Sequence, residues 1–161
     1  MTVTSVEKDL DNLTMTLLAD FAAPVERVWQ LWEDPRLLER WWGPPSHPAT
    51  FHQHELVVGA EVRYFMTGPE GQRYHGLWQV ERVEAPRSLG FRDAFADEDG
   101  NANPQMPVST VEMTLTEHDG GTRMQLRSTF ASREQLEQVL EMGMEQGLRE
   151  AVGQIDALLA E

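Results

Sequence analysis

Five histidines and no cysteine narrow the chemistry open to this chain. His52 and His54 stand two apart on a stretch of strand character, so their side chains share one side. With His47 nearby, or His75 on a neighbouring strand, such a pair could hold zinc or copper. No third ligand is fixed by the spacing, and histidines so placed are ordinary rim residues, so the reading includes no metal site. His75 stands beside Gly76, where an imidazole suits a general base near neutral pH. Asp93 has the strand parity of Phe91 and Phe95 and is therefore a polar group on an apolar face. There its carboxyl either rises in pKa or pairs with Arg63 or Arg127. His75 and Asp93 are thus the candidate catalytic residues. The lack of cysteine removes thiolate nucleophiles, thiolate metal sites and disulfides together. Ser109, Ser128 and Ser132 have no Gly-x-Ser-x-Gly context, and no Gly-rich phosphate loop is present. Serine-hydrolase and nucleotide-driven chemistry are set aside, and no cofactor is called for.

The elements that must position these residues follow from periodicity. Residues 14–21 alternate, with Met15, Leu17, Ala19 and Phe21 on one face. Pro24 opens a short helix carrying Val25, Val28, Trp29, Leu31 and Trp32. Asp34-Pro35 starts a second, carrying Leu37, Leu38, Trp41 and Trp42, and Gly43-Pro44-Pro45 ends it. Adjacent residues on a helix cannot both face inward, which puts Trp41 or Trp42 at a pocket mouth or an oligomer contact. A period of two then marks strands over 51–58, 61–67, 73–83, 88–95, 108–116 and 122–130. The acidic stretch 96–107 is a loop. After Ser132, a good N-cap, Leu136, Leu140, Met144, Leu148, Val152, Ile155 and Leu159 recur at helical spacing. That predicts one helix of about 29 residues, roughly 40 Å long, with Gly143 and Gly147 able to kink it.

The expected fold is α+β: a curved antiparallel sheet of six to seven strands around a long C-terminal helix, with two short helices after the first strand. The 161 residues suit one domain over 1–161, with 1–12 loose. One helix is about 10 Å wide and strands lie about 4.8 Å apart, so such a sheet must curl around it. Curling rarely fills the interior, and a cavity between sheet and helix is the physical expectation. Its predicted lining is Trp32, Trp41, Tyr64, Met66, Trp78, Phe91, Phe95, Met113, Met124, Met144 and Leu148. Aromatics supply wide apolar walls and methionines fit irregular gaps. A filled core is the competing expectation.

Composition bounds the partners. The formal charge is −14, from 27 acids against 13 bases, so nucleic acid and anionic membrane surfaces are disfavoured. No apolar run approaches the ~20 residues of a membrane span, and the first ten residues do not read as a signal peptide. A cytoplasmic protein is expected, its partner a small hydrophobic molecule, with a homodimer through exposed tryptophan in view.

The run Ala22-Ala23-Pro24-Val25-Glu26-Arg27-Val28-Trp29, then Asp34-Pro35, then Trp41-Trp42-Gly43-Pro44 resembles the START/SRPBCC helix-grip superfamily. More narrowly, it is similar to the branch named after the activator of the 90-kDa heat-shock chaperone ATPase. Gly76, Pro86, Leu89, Phe91, Gly120-Gly121-Thr122-Arg123 and the segment Met142 to Gly147 follow in the branch's order. The resemblance spans residues 13–161. It implies a deep apolar cavity for lipids, sterols, polyketides or similar molecules. It also implies two alternatives: a cavity enzyme of cyclase, aromatase or isomerase type, and an adaptor that acts on a chaperone. Eukaryotic chaperone activators carry an additional N-terminal domain for which this chain has no room, so chaperone activation is not carried over. Gly59-Ala60 stands where the branch often has a glycine pair.

Overall fold

Alternating and helical periods resolve into eight strands and five helical segments in a computed structural model that describes residues 3–161. The strands are β1 (Val3–Asp9), β2 (Thr14–Phe21), β3 (Ala49–Gln53), β4 (Glu61–Thr67), β5 (Arg73–Glu84), β6 (Ser88–Ala96), β7 (Val108–His118) and β8 (Gly121–Phe130). They form one antiparallel sheet in the order β1-β2-β8-β7-β6-β5-β4-β3. Helices α1 (Val25–Glu33) and α2 (Pro35–Leu38) follow β2; α3 (Arg133–Glu141), α4 (Met144–Val152) and α5 (Ile155–Leu159) close the chain. The curved sheet and its α+β class match the expectation.

Three details differ from it. Residues 3–9 are not loose, while residues 1 and 2 lie outside the described residues: β1 pairs with β2 from Ser5↔Leu18 to Asp9↔Thr14 and makes the sheet eight-stranded. Val3 and Val6 pack on the core, and Lys8 meets Glu145 of α4 at 2.7 Å. The strand expected over 51–58 stops at Gln53, after a register shift between Phe51 and Gln53. The C-terminal rod is three segments rather than one. Gly143, at φ 89, lies in the left-handed region that stops a helix, and a second break falls at Gly153-Gln154.

The break lets the helices cover different parts of the concave face. α1 buries Val25, Val28, Leu31 and Trp32 together with Val152, Ile155 and Leu158 beyond the kink. α3 covers the other end, where Phe130, Leu136 and Val139 form a separate apolar cluster. Between these two clusters the interior is not filled.

The end of α1 explains two of its neighbours. The Leu31 carbonyl would ordinarily accept from the residue four positions on, which is Pro35 and has no N–H. Trp41 Nε1 donates to it instead, at 2.9 Å. The Trp32 carbonyl accepts from His54 Nε2 at 3.0 Å, which fixes that nitrogen as the protonated one, and burial lowers the His54 pKa. α2 ends at Leu38, so Trp41 and Trp42 are not helical neighbours. Both turn inward, Trp41 fully buried and Trp42 partly so, contrary to the expectation that they cannot both face inward.

Candidate functional site

The unfilled space is a cavity of about 320 Å³. Inward positions near one end of four strands build its wall: Tyr64 and Met66 from β4, Asp93 and Phe95 from β6, Ser109 and Val111 from β7, and Leu126, Ser128 and Phe130 from β8. Val139 of α3, the Met142-Gly143 break, and Met144, Gly147 and Leu148 of α4 roof it. Trp42 closes the inner end, while exposed Phe95 and Met142 stand at its mouth. Among the described residues no Lys, Arg or His lines it, and its titratable side chains are Tyr64 and Asp93.

These two form the polar centre. The Tyr64 hydroxyl donates to Asp93 Oδ1 at 2.9 Å. Burial pushes the Asp93 carboxyl up to about 7, which the Tyr64 hydrogen bond only partly opposes. The Tyr64 hydroxyl is itself held well above its ordinary value, by burial first and by the Asp93 charge second. Ser109 is the direct cross-strand neighbour of Asp93, on the same face. The indole N–H groups of Trp42 and Trp78 bear on the Tyr64 hydroxyl, yet both are buried without a hydrogen-bond partner of good geometry. Such a centre can donate to a guest, accept from it, or exchange a proton with it near neutral pH.

The family described as Activator of Hsp90 ATPase homolog 1-like protein matches residues 22–160. The chain belongs to this family. Among solved structures, protein Ms6760 from Mycobacterium smegmatis is similar at 57% identity and a TM-score of 0.91, over 98% of this chain and 96% of that one. A protein from Arthrobacter aurescens is 50% identical with a TM-score of 0.95, over 99% of this chain and 92% of that one. The AHSA1 protein from Silicibacter pomeroyi is 27% identical with a TM-score of 0.72, over 91% of this chain and 97% of that one. None of the curated proteins matches.

Within this family member the residues predicted from sequence divide cleanly. Tyr64, Met66, Asp93, Phe95, Met144 and Leu148 meet at the cavity. Trp32, Trp41, Trp78, Phe91, Met113 and Met124 do not line it; all are fully buried in the main core. They share the inward face but sit where α1 and the tryptophans fill the bowl. Trp78 stacks on Phe91 with ring centroids 4.1 Å apart, and Trp32 meets Trp41 edge-on at 4.9 Å. His75 is not in the pocket: it pairs with Ala96 on the outer face, its ring 5.7 Å from Phe65. Asp93 pairs with neither Arg63, which bonds the Gly100 carbonyl, nor Arg127. His52 lies beside Phe65 at the surface while His54 tucks under α1, so the pair does not converge. Among the described residues no group of three His, Asp or Glu side chains is placed to share a metal ion. No helix among them is long and apolar enough to cross a membrane. With Trp41 buried and Trp42 partly so, no tryptophan among the described residues is exposed enough to support a tryptophan-mediated dimer.

Sequence reasoning missed Trp42, Val111, Leu126, Phe130, Ser109 and Ser128 as lining. For the serines the signal was strand parity: Ser109 shares the face of Val111, and Ser128 that of Leu126.

Proposed function

We propose that the chain, acting as one START-type domain in the cytoplasm, binds a small, largely apolar molecule in this cavity. The observation that carries the reading is the cavity itself, about 320 Å³ walled mainly by apolar side chains from both sheet and helices. Engineered cavities of roughly 150 Å³ hold benzene, so this volume suits a guest of about two fused rings or a short branched chain. Burying about 300 Å² of guest surface supplies roughly 7 kcal/mol before ordering costs.

The test is titration with N-phenyl-1-naphthylamine, an uncharged apolar fluorophore. Saturable binding, displaced by other uncharged apolar compounds, is expected. Leu148→Trp and Leu126→Trp fill the cavity and abolish the signal while circular dichroism stays native. No saturable binding of any uncharged apolar probe to the wild-type chain defeats the proposal.

A second reading is favoured by Asp93 standing near neutrality beside Tyr64. The same cavity then turns its guest over as a cyclase, aromatase or isomerase does, with Asp93 moving the proton. Asp93→Asn then removes turnover and leaves guest binding intact; unchanged turnover excludes Asp93. The chaperone partner that the family's description suggests gains no support from the cavity.

A further inference from the structure

The polar centre of the cavity is incompletely paired. Tyr64 donates to Asp93 Oδ1, and no hydrogen bond from the described residues reaches Oδ2. A buried polar oxygen left unpaired costs free energy, and a guest that pairs with it recovers it. Among the described residues no cationic side chain lines the wall, and the chain as a whole carries a formal charge of −14. An anionic guest would lose its hydration and find no countercharge.

We propose that the cavity selects uncharged guests bearing one carbonyl-type oxygen, which docks against the Asp93 carboxyl with Ser109 alongside, and that it rejects carboxylates. This rests on the ligand-binding reading above and specifies its guest. In this arrangement Asp93 is protonated on Oδ2 and donates to the guest oxygen, while Oδ1 accepts from Tyr64. A carboxyl held neutral by apolar surroundings is a good donor. The groups facing Asp93 are Tyr64 from β4, Trp78 from β5 and Ser109 from β7. The roof of α3 and α4 contributes Val139, Met142, Met144 and Leu148, none titratable, so Asp93 alone sets the pH response near neutrality.

The experiment compares three naphthalenes of one shape by competition against N-phenyl-1-naphthylamine: 2-acetylnaphthalene, 2-isopropenylnaphthalene and 2-naphthoate. At about pH 6 the ketone binds about 3- to 10-fold more tightly than the hydrocarbon. The carboxylate binds at least about tenfold more weakly than the ketone. The preference for the ketone shrinks at about pH 8.5, where Asp93 ionises. Asp93→Asn, whose carboxamide mimics the neutral acid, keeps the preference at both pH values. Equal affinity of ketone and hydrocarbon at the lower pH, or tighter binding of 2-naphthoate, overturns this inference while the cavity reading stands. Displacement by none of the three, with N-phenyl-1-naphthylamine still bound, overturns this inference alone, and failure of the fluorophore and all three to bind removes the cavity reading with it. Should the Asn variant fail to fold, the wild-type comparison decides alone.

Discussion

The Tyr64 ring lies across the backbone of Gly76, its direct partner on β5. A methyl group built on Gly76 would overlap the ring carbon that carries the hydroxyl and the hydroxyl itself. The missing side chain on β5 is therefore what lets Tyr64 lie down towards Asp93. Gly76→Ala is expected to lift the ring, break the 2.9 Å hydrogen bond and destabilise the fold by about 1–3 kcal/mol. Urea melts measure the loss, and a variant as stable as the parent would mean that the ring has another resting place.

Asp93 links the site to stability through pH. Its folded carboxyl titrates at about 7, against an ordinary value of 3.8. Between those values the folded chain keeps a proton that the unfolded chain has released. The resulting stabilisation is complete below the ordinary value and is lost as pH rises through about 7, for a total of roughly 4 kcal/mol at most. Asp93→Asn stays neutral throughout and can still accept from Tyr64. At about pH 8 the variant is expected to be the more stable protein, with the advantage gone near pH 4. Urea melts of both proteins across this range give the difference directly. An advantage that is flat with pH would show Asp93 to be ionised in the folded chain throughout.

How much of this site was legible follows from what strand parity encodes. Alternation gives the face on which a side chain stands, and so it placed Tyr64, Met66, Asp93 and Phe95 inside. It does not give the height along the strand at which the bowl is already filled. Trp78, Phe91, Met113 and Met124 are inward by the same rule yet lie in solid core, because α1 occupies that end. His75 fails on parity itself: Gly76 and Trp78 face in, so the residue between faces out. Trp42 was hidden by the length of α2, which stops at Leu38 and lets the chain turn both tryptophans inward. The C-terminal leucine spacing runs unbroken through Gly143, and only the backbone shows that this glycine takes a left-handed conformation.

Two glycines under the roof separate strain from space. Gly147 lies within α4, and a Cβ there meets nothing within 4 Å. Gly147→Ala is expected to stabilise by up to about 1 kcal/mol through helix propensity. Gly143 also has open space, but its φ of 89 is one that side chains rarely adopt. Gly143→Ala is expected to destabilise by about 1–2 kcal/mol. Opposite signs in thermal or urea melts are the expected result. Two stabilising substitutions would mean that the helix runs on through Gly143 as the leucine spacing alone suggests.

Trp32 and Trp41 are both fully buried in one aromatic cluster, yet their indole nitrogens differ. Trp41 Nε1 serves the Leu31 carbonyl, which Pro35 cannot; Trp32 Nε1 has no partner among the described residues. Replacing either by Phe removes a similar volume, so the cavity cost of the two changes is comparable. Trp41→Phe also strands a buried carbonyl, whereas Trp32→Phe relieves a buried N–H. The first variant should therefore be the less stable by about 1–2 kcal/mol. Denaturant melts of the pair measure the gap. Equal losses would mean that the Leu31 carbonyl finds another donor, and that the tryptophan pair acts through packing alone.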